Sequence, residues 1–178
     1  METVMHPVLK FILFFILYAV LACLLLFVGA NIATFAIMRP SFRVNSCVSN
    51  QKQLAMLTAM YAVEHEEKMV GKKFWSVIDV KEEMLRCPEA GKKVSNSYAY
   101  NELLANVEIK NIADPENTIM LADSDSNNNL MITSRDIAIR HTKKTKAVIA
   151  FVAGHVILTD DFRNVKFKNE LKKEEKKP

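Results

Sequence analysis

Residues 11–62, FILFFILYAVLACLLLFVGANIATFAIMRPSFRVNSCVSNQKQLAMLTAMYA, determine the fold of this chain. The first part, residues 11–38, is an unbroken apolar run with no charged side chain, in which Asn31 and Thr34 are the plainly polar residues. A helix of about 20 apolar residues crosses a bilayer, so this run predicts a transmembrane helix. It is about twice as long as the apolar core of a cleaved signal peptide, which favours an uncleaved signal-anchor.

The second part of the stretch predicts a helix that lies on a soluble domain. Pro40 has no N–H to donate and disfavours helical geometry at Arg39, so we expect a kink or break there, with helix again from about Val44 to about Glu66. Leu54, Leu57 and Tyr61 have the spacing of one helix face. These three side chains are therefore predicted to pack this helix against the rest of the domain.

From residue 117 onward the pattern changes to short apolar runs of strand length, bounded by Asp, Asn, Gly and Lys. The runs are NTIMLAD, LMITS, AVIAFVA, HVILTD and the alternating NVKFK. Ala153-Gly154 predicts a tight hairpin, because glycine adopts positive φ without strain. Helix in the first part of the chain, followed by strands with short connections, predicts an α+β fold. In this fold the long helix covers a small antiparallel β-sheet.

The predicted organisation has four parts. They are an N-terminal segment (1–10), a transmembrane helix (11–38), an α+β head (39–168) and a charged tail (169–178). The formal net charge is +4, and much of it comes from lysines near residue 144 and from the tail. Mixed charges of this kind are typical of a solvated end, and no nucleic-acid recognition motif accompanies them, so no nucleic-acid partner is expected.

The three cysteines fall into two groups. Cys23 lies within the apolar run and is expected to behave as a small hydrophobe. Cys47 and Cys87 lie outside it, and in an oxidising compartment they could form a disulfide that closes a loop of about 40 residues. In a reducing compartment they would be two buried thiols.

Residues 123–129, DSDSNNN, are the most metal-like segment. Asp123, Asp125, Asn127 and Asn129 have the alternating oxygen-ligand spacing of a calcium loop. The match fails where such a loop has glycine and a bidentate glutamate, because Asn128 and Ser134 occupy those positions. The alternative is an Asx-rich turn between two strands.

Two histidines form a further candidate site. His141 and His155 flank the AVIAFVAG run and could approach each other, with Asp123 and Asp160 as conceivable partners around zinc. The alternative is a hydrogen-bonded structural histidine. No nucleophile elbow, phosphate-binding glycine loop or HExxH motif is present, so we expect no catalysis and no cofactor beyond the calcium considered above.

Five segments, in order, carry a family resemblance. They are CVSNQKQLAMLTAMYA, RCPEA, SYAYN, NIADPENTIMLADS and RHTKKTKAVIAFVAGHV. Together they resemble bacterial type IV pilin and type II secretion pseudopilin-like proteins, with a prepilin-type N-terminal cleavage and methylation segment and a C-terminal H-x9-D-G motif. The chain departs from that pattern at its N-terminus. METVMHPVLKFILFF has no basic leader or Gly–Phe junction, and the apolar run has no glutamate.

The resemblance implies a structural or assembly protein of the inner membrane. Its N-terminus would be cytoplasmic and its head periplasmic, and its partners would be the lipid bilayer and other pilin-like subunits or secretion machinery. Arg39, Arg43 and Lys52 after the run favour the opposite orientation by the positive-inside rule, and the resemblance outweighs this small charge difference. An alternative function is an anchored binding module that presents the 123–129 loop to a polymer or protein partner.

Overall fold

The computed structural model describes residues 7–91 and 94–167. The predicted tail (169–178) and most of the predicted N-terminal segment (1–10) lie outside the described residues. The chain divides into two compact units, Met1–Ser41 and Phe42–Pro178.

Helix α1, Pro7–Glu64, is the longest element. Within it, Lys10–Phe35 is long and apolar enough to cross a membrane, and no part of that span is buried within the described chain. The break expected at Pro40 was wrong, because the helix continues through this residue. A proline inside a helix removes one backbone hydrogen bond, and the turns on either side can keep the remaining ones.

The head, in the second unit, is an α+β domain whose sheet is mixed. Short helix α2, Phe74–Val77, and the 3-10 helix Glu82–Leu85 follow α1 along the chain. The strands are β1 (Tyr98–Asn101), β2 (Ile119–Asp123), β3 (Leu130–Met131), β4 (Ala147–Phe151) and β5 (Val156–Thr159). Further 3-10 turns lie at Glu102–Leu104, Ile109–Asn111 and Ser134–Asp136.

The five strands lie in the order β3-β1-β2-β4-β5. The pairs β1–β2, β2–β4 and β4–β5 are antiparallel, as predicted. The prediction of a wholly antiparallel sheet was wrong, because β3 pairs with β1 in parallel. The hairpin at Gly154 forms, with φ of 90° at the glycine. In the described part of the predicted strand NVKFK, residues 164–167, Lys166 forms an isolated bridge with Thr118.

One face of α1 lies in the core of the head. Its buried residues recur at helical spacing and are Cys47, Gln51, Leu54, Ala55, Thr58 and Ala62. Leu54 is fully buried, while Leu57 and Tyr61 are half-buried and pack against the same core. The Gln51 side-chain amide donates to the carbonyl of Val148 at 2.9 Å, which ties this helix face to β4.

Candidate metal centre

Four buried side chains from distant parts of the head converge on one point. They are Cys47 of α1, Cys87 after the 3-10 helix Glu82–Leu85, Asp123 at the end of β2, and His141 before β4. We call them the buried cluster. Each offers one ligand atom, and these atoms all lie within 4.8 Å of one another. Cys87 is 2% exposed and the other three are fully buried.

Cys47 and Cys87 are positioned by the helix and the loop that carry them. Cys47 lies on the inward face of α1, one turn before Gln51. Cys87 stands immediately before Pro88, and its N–H donates to the Ser97 hydroxyl. The loop that contains Cys87 is therefore held against the start of β1.

The other two cluster residues lie beside the ends of two inner strands, β2 and β4. Asp123 is the last residue of β2, and one of its carboxylate oxygens accepts the N–H of Val148 at 2.8 Å. His141 pairs with Lys146 around a turn in which three consecutive residues, Thr142 to Lys144, have positive φ. That turn returns the chain directly into β4, so His141 and Asp123 are brought side by side.

The contacts within the buried cluster are close. The Cys47 thiol donates to Asp123 Oδ1 at 3.2 Å, and His141 Nε2 lies 3.0 Å from Asp123 Oδ2. Cys87 Sγ lies 3.5 Å from His141 Nε2. Asp123 is thus the centre of the cluster, with both carboxylate oxygens directed at its partners.

A second layer of polar groups surrounds the buried cluster. The Tyr98 hydroxyl donates to Cys47 Sγ at 3.5 Å, and the Asn50 side chain donates to that hydroxyl at 3.4 Å. Glu89 Oε2 lies 3.4 Å from His141 Nδ1. This Nδ1 atom is buried and makes no hydrogen bond within the described part of the chain.

Burial and mutual contact shift the ionisation of the buried cluster. The neighbouring Cys47 thiol lowers the pKa of Cys87 to about 6 and outweighs the effect of burial, and the contact with His141 lowers it further. Burial raises the pKa of Cys47 far above its ordinary value, and the nearby Cys87 and Asp123 add to this. Burial acts to lower the pKa of His141, but hydrogen bonds to Asp123 and Cys87 outweigh it and raise the pKa to about 10.

The two cysteines predicted to form a disulfide do lie together. The structure has Cys47 and Cys87 as free thiols, each in contact with a second cluster residue. Cys23 is also free and is exposed on the apolar part of α1. The predicted pairing therefore stays a prediction, and the same two sulfur atoms are available as ligands.

The predicted calcium ligands make contacts with different partners. We call residues 123–129 the Asp/Asn loop. Asp123 points into the buried cluster, whereas Asp125 is exposed and pairs with Arg140 at 2.9 Å. Asn127 is exposed, and the Asn129 amide donates to the carbonyls of Asn96 and Tyr98. Calcium binding by this loop stays a prediction, and Asp123, its first predicted ligand, points into the buried cluster instead.

The two histidines predicted as one candidate site have different surroundings. His141 is buried beside Asp123, one of the partners conceived for it. His155 is half exposed at the β4–β5 hairpin, where it stacks on Phe151 and lies 3.2 Å from Glu116. Sequence reasoning missed that the further partners of His141 are Cys47 and Cys87. Each of the four cluster residues lies in a different one of the segments that carry the family resemblance, which is a signal that could have grouped them.

Comparison of the chain with models of protein families, with curated proteins and with solved structures finds no match in any of the three. The function is therefore inferred from the geometry of the chain itself.

Proposed function

We propose that this chain is a membrane-anchored structural or assembly protein of the type IV pilin and pseudopilin kind, with an exported head. One observation carries the proposal. A single uninterrupted helix, α1, combines a span long and apolar enough for a bilayer with a later face that lies in the core of the head. The helix would be at once the anchor and the spine of the protein.

The polar groups of the apolar span support its placement in lipid. The Asn31 amide donates to the carbonyl of Phe27 at 2.7 Å, and the Thr34 hydroxyl donates to the carbonyl of Ala30 at 2.8 Å. Both bonds reach back one turn within the same helix. An unsatisfied polar group in hydrocarbon costs several kcal/mol, so these internal bonds remove the main obstacle to insertion.

The outer face of the later part of α1 supports association with other copies. Met56, Met60 and Val63 lie one turn apart and are 58%, 52% and 80% exposed. Apolar side chains at this spacing form a stripe that a neighbouring helix can cover. In this proposal the stripe contacts a helix of a second subunit, in a pilin-like assembly or in secretion machinery.

The N-terminus would stay in the cytoplasm and the head would face the periplasm, with α1 as an uncleaved single-pass anchor in the inner membrane. The proposed role is structural and involves no catalytic step.

Protease treatment of intact spheroplasts, combined with sequencing of the mature N-terminus, tests anchoring and orientation together. We expect an added protease to digest the head in intact spheroplasts, and the N-terminus to begin upstream of the apolar run. Protection of the head until the membrane is lysed would contradict the proposed topology. An N-terminus that begins after residue 38 would contradict the anchor.

A second experiment tests the contact between subunits. Met60→Glu places a charge in the exposed stripe and should reduce chemical crosslinking between copies in the membrane. Met60→Leu keeps the stripe apolar and should leave crosslinking unchanged. Equal crosslinking of the two variants would show that the stripe is not the contact.

A further inference from the structure

We infer that the buried cluster is a structural binding site for a zinc-class divalent cation, with Cys47, Cys87, Asp123 and His141 as the four ligands. This inference goes beyond the proposed function, and it does not depend on how the chain is anchored. All four residues belong to the head unit.

The donor atoms select the class of metal. Two thiolates and an imidazole suit zinc and other borderline or soft cations, whereas calcium and magnesium take oxygen ligands. A single carboxylate oxygen completes a four-coordinate set of the kind that zinc accepts. The buried cluster therefore has the chemistry of a zinc site.

The spacing of the donor atoms suits a tetrahedral ion. With zinc–sulfur bonds of about 2.3 Å and zinc–nitrogen or zinc–oxygen bonds of about 2.0 Å, neighbouring ligand atoms of a tetrahedron lie about 3.3–3.8 Å apart. The observed contacts are 3.0 Å between His141 Nε2 and Asp123 Oδ2, 3.2 Å between Cys47 Sγ and Asp123 Oδ1, and 3.5 Å between Cys87 Sγ and His141 Nε2. Cys47 and His141 contact different oxygens of Asp123, and all four ligand atoms lie within 4.8 Å of one another. The side chains would therefore close around the ion by at most about 1 Å, the excess of 4.8 Å over the largest tetrahedral separation.

The surroundings of His141 provide a second observation that points to a ligand. Its Nε2 atom faces the cluster, while its buried Nδ1 faces Glu89 at 3.4 Å. A histidine that ligates through one nitrogen usually donates its other N–H to a carboxylate or carbonyl, which fixes the ring. Glu89 is placed for that role, in which the present separation would shorten to a hydrogen bond.

The arrangement is that of a structural site. Four protein ligands fill a tetrahedral shell, and full burial leaves no position for water or substrate. The ion would join α1, the Cys87 loop, the end of β2 and the segment before β4 at one point. Deprotonated ligands bind the cation, so any protons held by the two thiols and by the His141 imidazolium would leave as the ion enters.

Metal binding and a Cys47–Cys87 disulfide exclude each other, because both use the same two sulfur atoms. The disulfide requires loss of two electrons to an oxidant, whereas zinc binding leaves the sulfur atoms reduced. Burial of both thiols restricts the access of oxidants once the head has folded.

The test uses the full chain in detergent, reduced, stripped of metal and titrated with Co²⁺ and then Zn²⁺. One equivalent of Co²⁺ should give the visible absorption of a tetrahedral thiolate site, and Zn²⁺ should abolish it by displacement. Cys47→Ser and His141→Ala should lose this signal. The matched controls Cys23→Ser and His155→Ala, at exposed positions, should retain it.

Melting curves of the stripped proteins show which variants are folded, and only folded variants are compared. If a variant does not fold, the titration of the wild-type chain still tests the inference. A reduced wild-type chain that gives no tetrahedral signal would overturn the inference. So would a signal that survives in folded Cys47→Ser and His141→Ala. A chain isolated without reductant that carries the disulfide and no metal would also overturn it.

Discussion

The buried cluster and the Asp/Asn loop share one residue, Asp123, yet they offer opposite conditions for a metal ion. The loop has regularly spaced oxygen ligands along seven residues, but its side chains turn to separate partners and Asp125 is largely exposed. The cluster has no spacing along the chain, but its donor atoms meet within 4.8 Å in the core. Spacing in sequence therefore predicts a site poorly here, because β2 ends at Asp123 and the later side chains lie in a loop where each contacts a different partner.

The largest expected effect separates the two regions by stability. Asp123→Ala leaves His141 and the N–H of Val148 without their buried partner, and should lower the free energy of unfolding by about 3–5 kcal/mol. Asn127→Ala removes an exposed loop side chain and should change it by less than about 0.5 kcal/mol. Urea unfolding followed by fluorescence of Trp75, the single tryptophan, measures both. Equal losses of unfolding free energy in the two variants would show that the buried cluster stabilises the head no more than the Asp/Asn loop does.

Zinc should produce the next largest effect. At free Zn²⁺ about 100-fold above its dissociation constant, a site present only in the folded head adds about 2.7 kcal/mol to the free energy of unfolding. A chelator should reverse this gain in the wild type. His141→Ala should show no gain with zinc and no loss with the chelator, and a gain in that variant would place the ion elsewhere.

Glu89 provides a smaller and more selective test of the cluster. Glu89→Gln weakens the acceptor for His141 Nδ1 while keeping its shape, and should weaken zinc binding about 10–100-fold. Glu82→Gln changes an exposed glutamate paired with Arg86 and is the matched control. Competition with a coloured chelator gives both affinities. Unchanged affinity in Glu89→Gln would show that Glu89 does not hold the ring.

Calcium should have the smallest effect, because the first predicted ligand of the Asp/Asn loop is engaged in the core. We expect millimolar calcium to shift the melting temperature less than zinc does. Asp125→Asn and Asn127→Ala should leave that shift unchanged. A large calcium-dependent rise that both substitutions abolish would restore the loop as a metal site and reverse the comparison.

Much of the fold could be predicted because its signals are local. The apolar run and the one-face spacing of Leu54, Leu57 and Tyr61 predict a long helix, and β2, β4 and β5 follow apolar runs bounded by turn residues. The parallel pairing of β3 with β1 depends on a connection that no local pattern reveals. The helix also continues through Pro40, since the turns on both sides outweigh one lost hydrogen bond.

The sequence allowed two pairs of the cluster residues to be predicted, but not the meeting of all four. The sequence suggested Cys47 with Cys87 and His141 with Asp123, each from residue chemistry. That the two pairs occupy one place follows from the order of strands and from the turn after His141, where three residues with positive φ reverse the chain. Such tertiary placement leaves no periodic trace in a single sequence.

X-ray absorption spectroscopy at the zinc edge of the loaded, detergent-solubilised chain tests the central claim most directly. The four cluster ligands predict two sulfur atoms at about 2.3 Å and two nitrogen or oxygen atoms at about 2.0–2.1 Å from the ion. A shell of nitrogen and oxygen atoms without sulfur would contradict the claim, because it would place the zinc away from Cys47 and Cys87.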